Sequence, residues 1–160
     1  MTTALMNISN AQDFYAPKGM LIGGRWVEAA SGATITVENP ANRAKVAQVP
    51  QGSAEDVDKA VAAATKAFPD WARTNPRERG RALLRIADAM DARAEEMART
   101  IALETGNALR TQARPEAKVS ADIFRYYGGL GSELKGETIP LGENILSYTR
   151  REPLGVVGAV

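Results

Sequence analysis

Leu154-Gly155-Val156-Val157-Gly158-Ala159-Val160 closes the 160-residue sequence with a run that is apolar apart from its two glycines. Such a run reads as a β-strand buried on both faces, the mark of a parallel sheet flanked by helices. A strand of that kind needs neighbours on either side and covering layers above and below. A chain that finishes on one has left its own sheet unbuilt, so the expectation is a polypeptide that is incomplete or has a partner. The pair Gly155-x-x-Gly158 is not a dinucleotide fingerprint. A pyrophosphate loop needs its glycines between strand and helix, and these lie inside the strand pattern.

Moving back along the chain, Thr138-Ile139-Pro140, a turn at Gly142-Glu143-Asn144 and then Ile145 to Arg150 are extended in character. Before them, Val119, Ile123, Tyr126, Leu130 and Leu134 recur at helical spacing, with Pro115 beginning or bending the helix. Gly128, Gly129 and Gly131 each cost about 0.5–1 kcal/mol relative to Ala inside a helix, so three of them suggest another backbone lying close by. Tyr126-Tyr127, at the end of this pattern, reads as packing and not as a proton donor. Further upstream, Asn75 predicts an N-cap, Pro76 the first helical position and Glu78 the completion of the cap. The stripe Leu83, Ile86/Ala87, Met90, Ala94, Met97 and Ile101 predicts a single helix of about seven turns. Gly106 is its natural stop.

Another helix starts at Ser53, where Asp56 three residues on resembles a capping box. Val57, Ala60, Val61, Ala64 and Phe68 form its apolar face, and Pro69 should end it. The region before Ser53 has a different period. Met20-Leu21-Ile22 and Arg25-Trp26-Val27 flank Gly23-Gly24, a pair suited to the positive φ angles of a two-residue hairpin turn. Thr34 to Val37 and Lys45 to Val49 predict two further strands, broken by Asn39-Pro40 and Pro50. Residues 1–17 show no periodicity and predict a loose arm.

Composition removes whole classes of chemistry. The sequence has no Cys and no His, which excludes disulfides, thiolate nucleophiles and metal sites, and the commonest general base. Glu95-Glu96 and Asp56/Asp58 sit in amphipathic helical patterns and read as solvated faces, not as paired catalytic carboxylates. The 20 Lys and Arg are interleaved with 19 Asp and Glu, which points away from a nucleic-acid or membrane-surface partner. No apolar run approaches the roughly 20 residues of a membrane helix. The first 17 residues lack a basic start and an apolar core, so no secretory signal is read there and a cytoplasmic location is expected.

Ser147 to Val160, with Arg151-Glu152-Pro153-Leu154-Gly155 at its centre, resembles the segment leading into the dinucleotide-binding domain of the aldehyde dehydrogenase superfamily. Ile22-Gly23-Gly24-Arg25-Trp26-Val27, Val37-Glu38-Asn39-Pro40, Glu55 to Val61 with Ala67-Phe68 and Trp71, Leu103-Glu104-Thr105-Gly106 and Arg125-Tyr126-Tyr127-Gly128-Gly129 resemble further landmarks of that family, in its order. The resemblance covers residues 20–160. It implies an α/β fold: the N-terminal part of the aldehyde dehydrogenase fold, with short strands, three helices, an oligomerisation hairpin and the first strand of a Rossmann-like sheet. The implied domains are a flexible arm over 1–19, strands and helices packing on the cofactor-binding domain over 20–135, the hairpin over 136–152, and the first strand of the dinucleotide-binding domain over 153–160.

The implied activity is oxidation of an aldehyde to a carboxylic acid with NAD or NADP, within a homo-oligomer that is a dimer or a tetramer. In such enzymes a Cys thiolate attacks the aldehyde and a Glu activates the water that releases the acid. With no Cys and no cofactor loop, this chain is expected to be inactive by itself. The resemblance implies that Val160 touches the cofactor through its backbone at the carboxyl end of its strand. It places Pro115 and Val119 on the helix lining the aldehyde entrance tunnel, and Val37 and Glu104 near a monovalent-cation site that some members have. Val160 and Val119 have an ordinary alternative as core valines, and many members of the family lack the cation site. Two other readings of the whole stand beside the first: a short non-enzymatic module that binds dehydrogenase subunits, and part of a CoA-acylating semialdehyde dehydrogenase.

Overall fold

The computed structural model describes residues 19–159. The expected arm lies outside the described residues apart from Gly19, and so does Val160. The chain divides into two compact units. One takes the described residues up to Ala63 with Glu95–Pro115, and the other takes Ala64–Ala94 with the described residues from Glu116 onward.

The first unit opens on the hairpin β1 (Met20–Ile22) and β2 (Arg25–Val27), paired antiparallel with Leu21 opposite Trp26. Gly23 and Gly24 take φ of 58° and 78°, the two successive positive angles of a type I′ turn that matches strand twist. β3 (Thr34–Glu38) and β4 (Lys45–Pro50) form a second antiparallel pair, with a register irregularity after Val37 that leaves Val46 out of the ladder. Asn39 shapes the connection. Its side-chain Oδ1 accepts from Ala41 N–H at 2.9 Å and its carbonyl accepts from Arg43 N–H at 2.8 Å. Val46 and Ala47, at and beside this irregularity, are both buried.

Helix α1 (Ala54–Arg73) begins as the capping box predicts: Asp56 accepts from Ser53 N–H and from Ser53 Oγ, each at 2.9 Å. Asp56 does not lie on a solvated face, however. It is 3 % exposed, and its carboxylate also accepts from Ala30 N–H at 3.1 and 3.2 Å. A buried carboxylate is tolerated here because it is surrounded by donors. The helix also runs through Pro69. Proline removes one bond to a carbonyl one turn back, and both Pro69 and Thr65, which offers that carbonyl, are exposed, so water can replace the lost donor. The helix ends instead where Thr74 folds back, its N–H and Oγ1 both donating to Asp70 C=O just ahead of Pro76.

The single long helix expected from Pro76 to Gly106 is two helices, α2 (Pro76–Ala92) and α3 (Ala94–Thr105). The start is as read: Asn75 accepts from Arg77 N–H at 2.9 Å, with Pro76 following. The break falls at Arg93, with φ −117° and ψ 18°, whose N–H bonds back three residues to Met90 C=O. Glu95 and Glu96 consequently occupy the first turn of a new helix, where acidic groups complement the N-terminal dipole. Gly106 ends α3 with φ 76°, the left-handed cap position that glycine fills without strain. A π-turn, Leu109–Ala113, follows and leads into α4 (Arg114–Gly129) and a 3-10 turn, Leu130–Ser132.

In the second unit the glycines of α4 do meet another backbone. A Cβ on Gly128 would stand 3.1 Å from Gly80 C=O, and one on Gly80 would run into Gly128 C=O. In the 3-10 turn that follows, a Cβ on Gly131 would stand 2.9 Å from Pro76 C=O. Gly129 faces open space. This close approach reverses the expected face of α4: Ala117, Ala121 and Gly128 are buried, while Val119, Ile123 and Tyr126 are half or more exposed. Tyr126 and Tyr127 likewise pack edge-to-face on each other, with ring centroids 5.2 Å apart, and not into a core.

Beyond α4, β5 (Thr138–Pro140) and β6 (Leu146–Tyr148) form the expected hairpin, with Thr138 opposite Tyr148 and Ile145 N–H closing the turn onto Gly142 C=O. The expected buried strand from Leu154 is not formed within the described residues. Leu154 is 98 % exposed and Val157 73 %, and no described strand pairs with this segment, so its backbone has no ladder to join. Apolar character alone makes a segment fit to be a buried strand; only a neighbouring strand makes it one.

Candidate functional site

The residues that matter most lie around the junction of α3 and α4 in the first unit. The chain leaves α3 at Gly106, whose Cα approaches the β3–β4 connection so closely that a Cβ would sit 2.9 Å from Pro40 Cγ. This brings the end of α3, with the exposed Glu104, to the connection that follows Val37 in β3. Val37 is half-buried opposite Ala47. Among the described residues no group of three or more acidic side chains is arranged to hold a metal ion; hard cations also accept backbone oxygens.

From Asn107 the chain makes the π-turn. Ala113 N–H donates to Ala108 C=O at 3.2 Å, five residues back, and the side-chain Oε1 of Gln112 accepts from Ala108 N–H at 3.1 Å. Ala113 is fully buried. Pro115 then sits in the first turn of α4, where its missing N–H is tolerated. Val119 lies one turn on, 53 % exposed, and Pro115 is exposed as well. Pro115 and Val119, the two residues expected to line a tunnel, thus lie on one outward helical face, continued by Ile123 and Tyr126. Val160, expected to touch the cofactor, lies outside the described residues.

Sequence reasoning missed what secures this junction. Arg114 grips Glu95 with two bonds, Nε to Oε2 at 2.8 Å and Nη2 to Oε1 at 3.0 Å, and Arg99 donates to the same carboxylate at 2.9 Å. The only sequence signal was the pair Glu95 and Arg99 at i,i+4; the nineteen-residue separation of Glu95 from Arg114 left no periodic trace. Hydrogen bonds from Arg114 and then Arg99 hold the Glu95 carboxyl down to about 2, from an ordinary 4.5. A depressed acid contributes stability above its unfolded pKa and loses it as pH falls through the folded value. The Glu95 carboxylate should thus stabilise the fold above about pH 4.5 and lose that contribution as the pH falls through about 2. With both partners about half exposed, solvent screening keeps that contribution to about 1 kcal/mol. Urea denaturation of wild type and Glu95→Gln should differ by that amount at pH 6, and the gap should shrink as the pH is lowered from about 4.5 to about 2; a gap as wide at the acid end as at pH 6 would contradict the assignment.

Two open cavities lie elsewhere. One of about 260 Å³ is lined by Glu28, Ala29, Thr34 and Gln48, and one of about 340 Å³ by Trp71, Arg79, Leu134 and Arg151. Neither includes Val37, Glu104, Pro115 or Val119. No helix among the described residues is long and apolar enough to cross a membrane.

Short antiparallel pairs and four α-helices among the described residues make a mixed α/β scaffold. The aldehyde dehydrogenase family model matches residues 26–160. An aldehyde dehydrogenase of Aspergillus niger is 37 % identical over 158 residues, which is 98 % of this chain and 32 % of that protein. Among solved structures, the NAD+ complex of a Bacillus cereus aldehyde dehydrogenase superposes with a TM-score of 0.83 at 34 % identity, over 86 % of this chain and 28 % of that one. An NAD-dependent aldehyde dehydrogenase from Sinorhizobium meliloti gives 0.78 at 40 % identity, over 82 % and 27 %. The chain belongs to the aldehyde dehydrogenase family, and it spans about a third of the length of the curated relative it matches.

Proposed function

We propose that these residues are the N-terminal scaffold of an enzyme that oxidises an aldehyde to a carboxylic acid with NAD or NADP. The observation that carries this reading is the family match across residues 26–160, reinforced by the named NAD+ complex among the similar structures. In this reading Pro115 and Val119 line the path of the aldehyde, Val160 contacts the cofactor through its backbone, and Val37 and Glu104 border a monovalent-cation site. The exposed stripe Val119–Ile123–Tyr126 supports a channel or interdomain role, since apolar side chains half or more exposed gain free energy when another surface covers them.

Residues 20–135 then pack against a cofactor-binding domain, 153–160 supply its first strand, and the hairpin over 136–152 pairs with another subunit of a dimer or tetramer. Both edges of the two-stranded β5–β6 sheet are free among the described residues, and free edges invite a further strand. The expected compartment is the cytoplasm.

The chemistry itself needs a thiolate, and the sequence has no Cys. The 160-residue polypeptide mixed with NAD+ or NADP+ and a panel of aliphatic and aromatic aldehydes should generate no NADH or NADPH fluorescence. Turnover above a buffer blank would overturn the assignment of the nucleophile to residues outside this sequence.

A further inference from the structure

The clamp between Glu95 and Arg114 touches neither of the proposed tunnel positions, yet Arg114 is the residue immediately before Pro115. Its guanidinium reaches back across the whole Gly106–Ala113 connection to the first turn of α3. The connection it closes is a π-turn, a geometry that is rare in helices and concentrates at functional sites. A π-turn has one residue more per turn than an α-helix, so relaxing it to α geometry would rotate and shift whatever follows. Inside the turn, the Gln112 side chain occupies Ala108 N–H and Ala113 is packed without exposure. At its exit, the two-point Arg114–Glu95 contact fixes direction as well as distance, as a planar guanidinium on a carboxylate does. Arg99, only 26 % exposed, donates to the same Oε1 that Arg114 Nη2 reaches.

We propose that Glu95 and Arg114 form a positioning pair that holds the π-turn Leu109–Ala113 and so sets where Pro115 stands at the substrate channel, tuning which aldehydes are admitted. This inference rests on the reading of Pro115 and Val119 as channel-lining. The pair touches no substrate and performs no step of the reaction; it selects by placing the wall.

The test is made in the whole enzyme that carries these residues, comparing a short linear aldehyde with a bulky aromatic one. Arg114→Gln and Glu95→Gln should each change the ratio of the two kcat/KM values by about fivefold, the ceiling for one partly exposed ion pair. The change should lie in KM, with kcat for the short aldehyde unaltered. The double variant should do no more than either single one, and Arg114→Lys, which keeps the charge but not the fork, should recover part of the effect. Hydrogen exchange of the amides of 109–114 should quicken in the Gln variants. Val119→Trp is the control for the underlying reading. If it leaves the ratio unchanged, the channel assignment is overturned. If it shifts the ratio while Arg114→Gln and Glu95→Gln change only stability, the channel stands and the positioning role is overturned. An effect from Arg114→Gln without one from Glu95→Gln also overturns the pair.

Discussion

Gly80→Val is expected to lower the unfolding free energy by about 3 kcal/mol, the upper end of what overpacking costs. Two effects compete at this position. Replacing a mid-helix glycine gains about 0.5–1 kcal/mol from backbone entropy. Against that, the first added carbon meets Gly128 C=O, and Gly131 Cα lies 3.9 Å away. A carbonyl in a helical backbone cannot swing aside as a side chain can, so α2 must part from α4 and the clash wins. Gly80→Ala should already be destabilising, though less so. Gly129→Ala is the internal contrast, because nothing lies within 4 Å of its added Cβ, and it should raise stability by about 0.5 kcal/mol. Urea midpoints measured on the three variants decide the matter. A neutral Gly80→Val would mean that the α2–α4 contact is not close-packed.

The second large effect is expected at Asp56. Its carboxylate serves Ser53 N–H, Ser53 Oγ and Ala30 N–H at once, joining the cap of α1 to the connection between β2 and β3. Asp56→Ala leaves those donors without their acceptor in a nearly water-free place, so a fall in Tm of about 6 °C or more is expected in calorimetry. Ser53→Ala removes only the hydroxyl and should cost clearly less. The Ser53 backbone N–H, followed by the Ser53 hydroxyl, Ala30 N–H and the charge of Lys59, holds the Asp56 carboxyl below the usual range against the opposing effect of burial. Its stabilisation is therefore present above the ordinary carboxylate pKa and disappears as pH drops through the lowered value. Equal Tm values for the Ala variant and wild type at neutral pH would contradict this role.

Most of the local structure was legible because its causes are local. Gly23-Gly24 needs only its own φ angles to make a hairpin, Asn75-Pro76 only its own cap, and Gly106 only its left-handed conformation. The same holds for Ser53 and Asp56, three residues apart. What could not be read was which side of a helix would be buried. Hydrophobic periodicity nominated Val119, Ile123 and Tyr126, yet α4 packs through Ala117, Ala121 and Gly128. Burying an alanine methyl yields only about 0.8 kcal/mol, less than a valine would. The small residues win because they let two backbones approach.

The sequence by itself determined the α/β class, the turns, the caps and the absence of any thiol or imidazole, since each follows from residue chemistry within a few positions. Only the tertiary structure decided the break at Arg93, the burial of Asp56, the inverted face of α4 and the clamp of Glu95 by Arg114. The last three depend on groups between nineteen and forty-eight positions apart. Such pairings leave no period in a linear chain, because the free energy that selects them exists only once the partners have met.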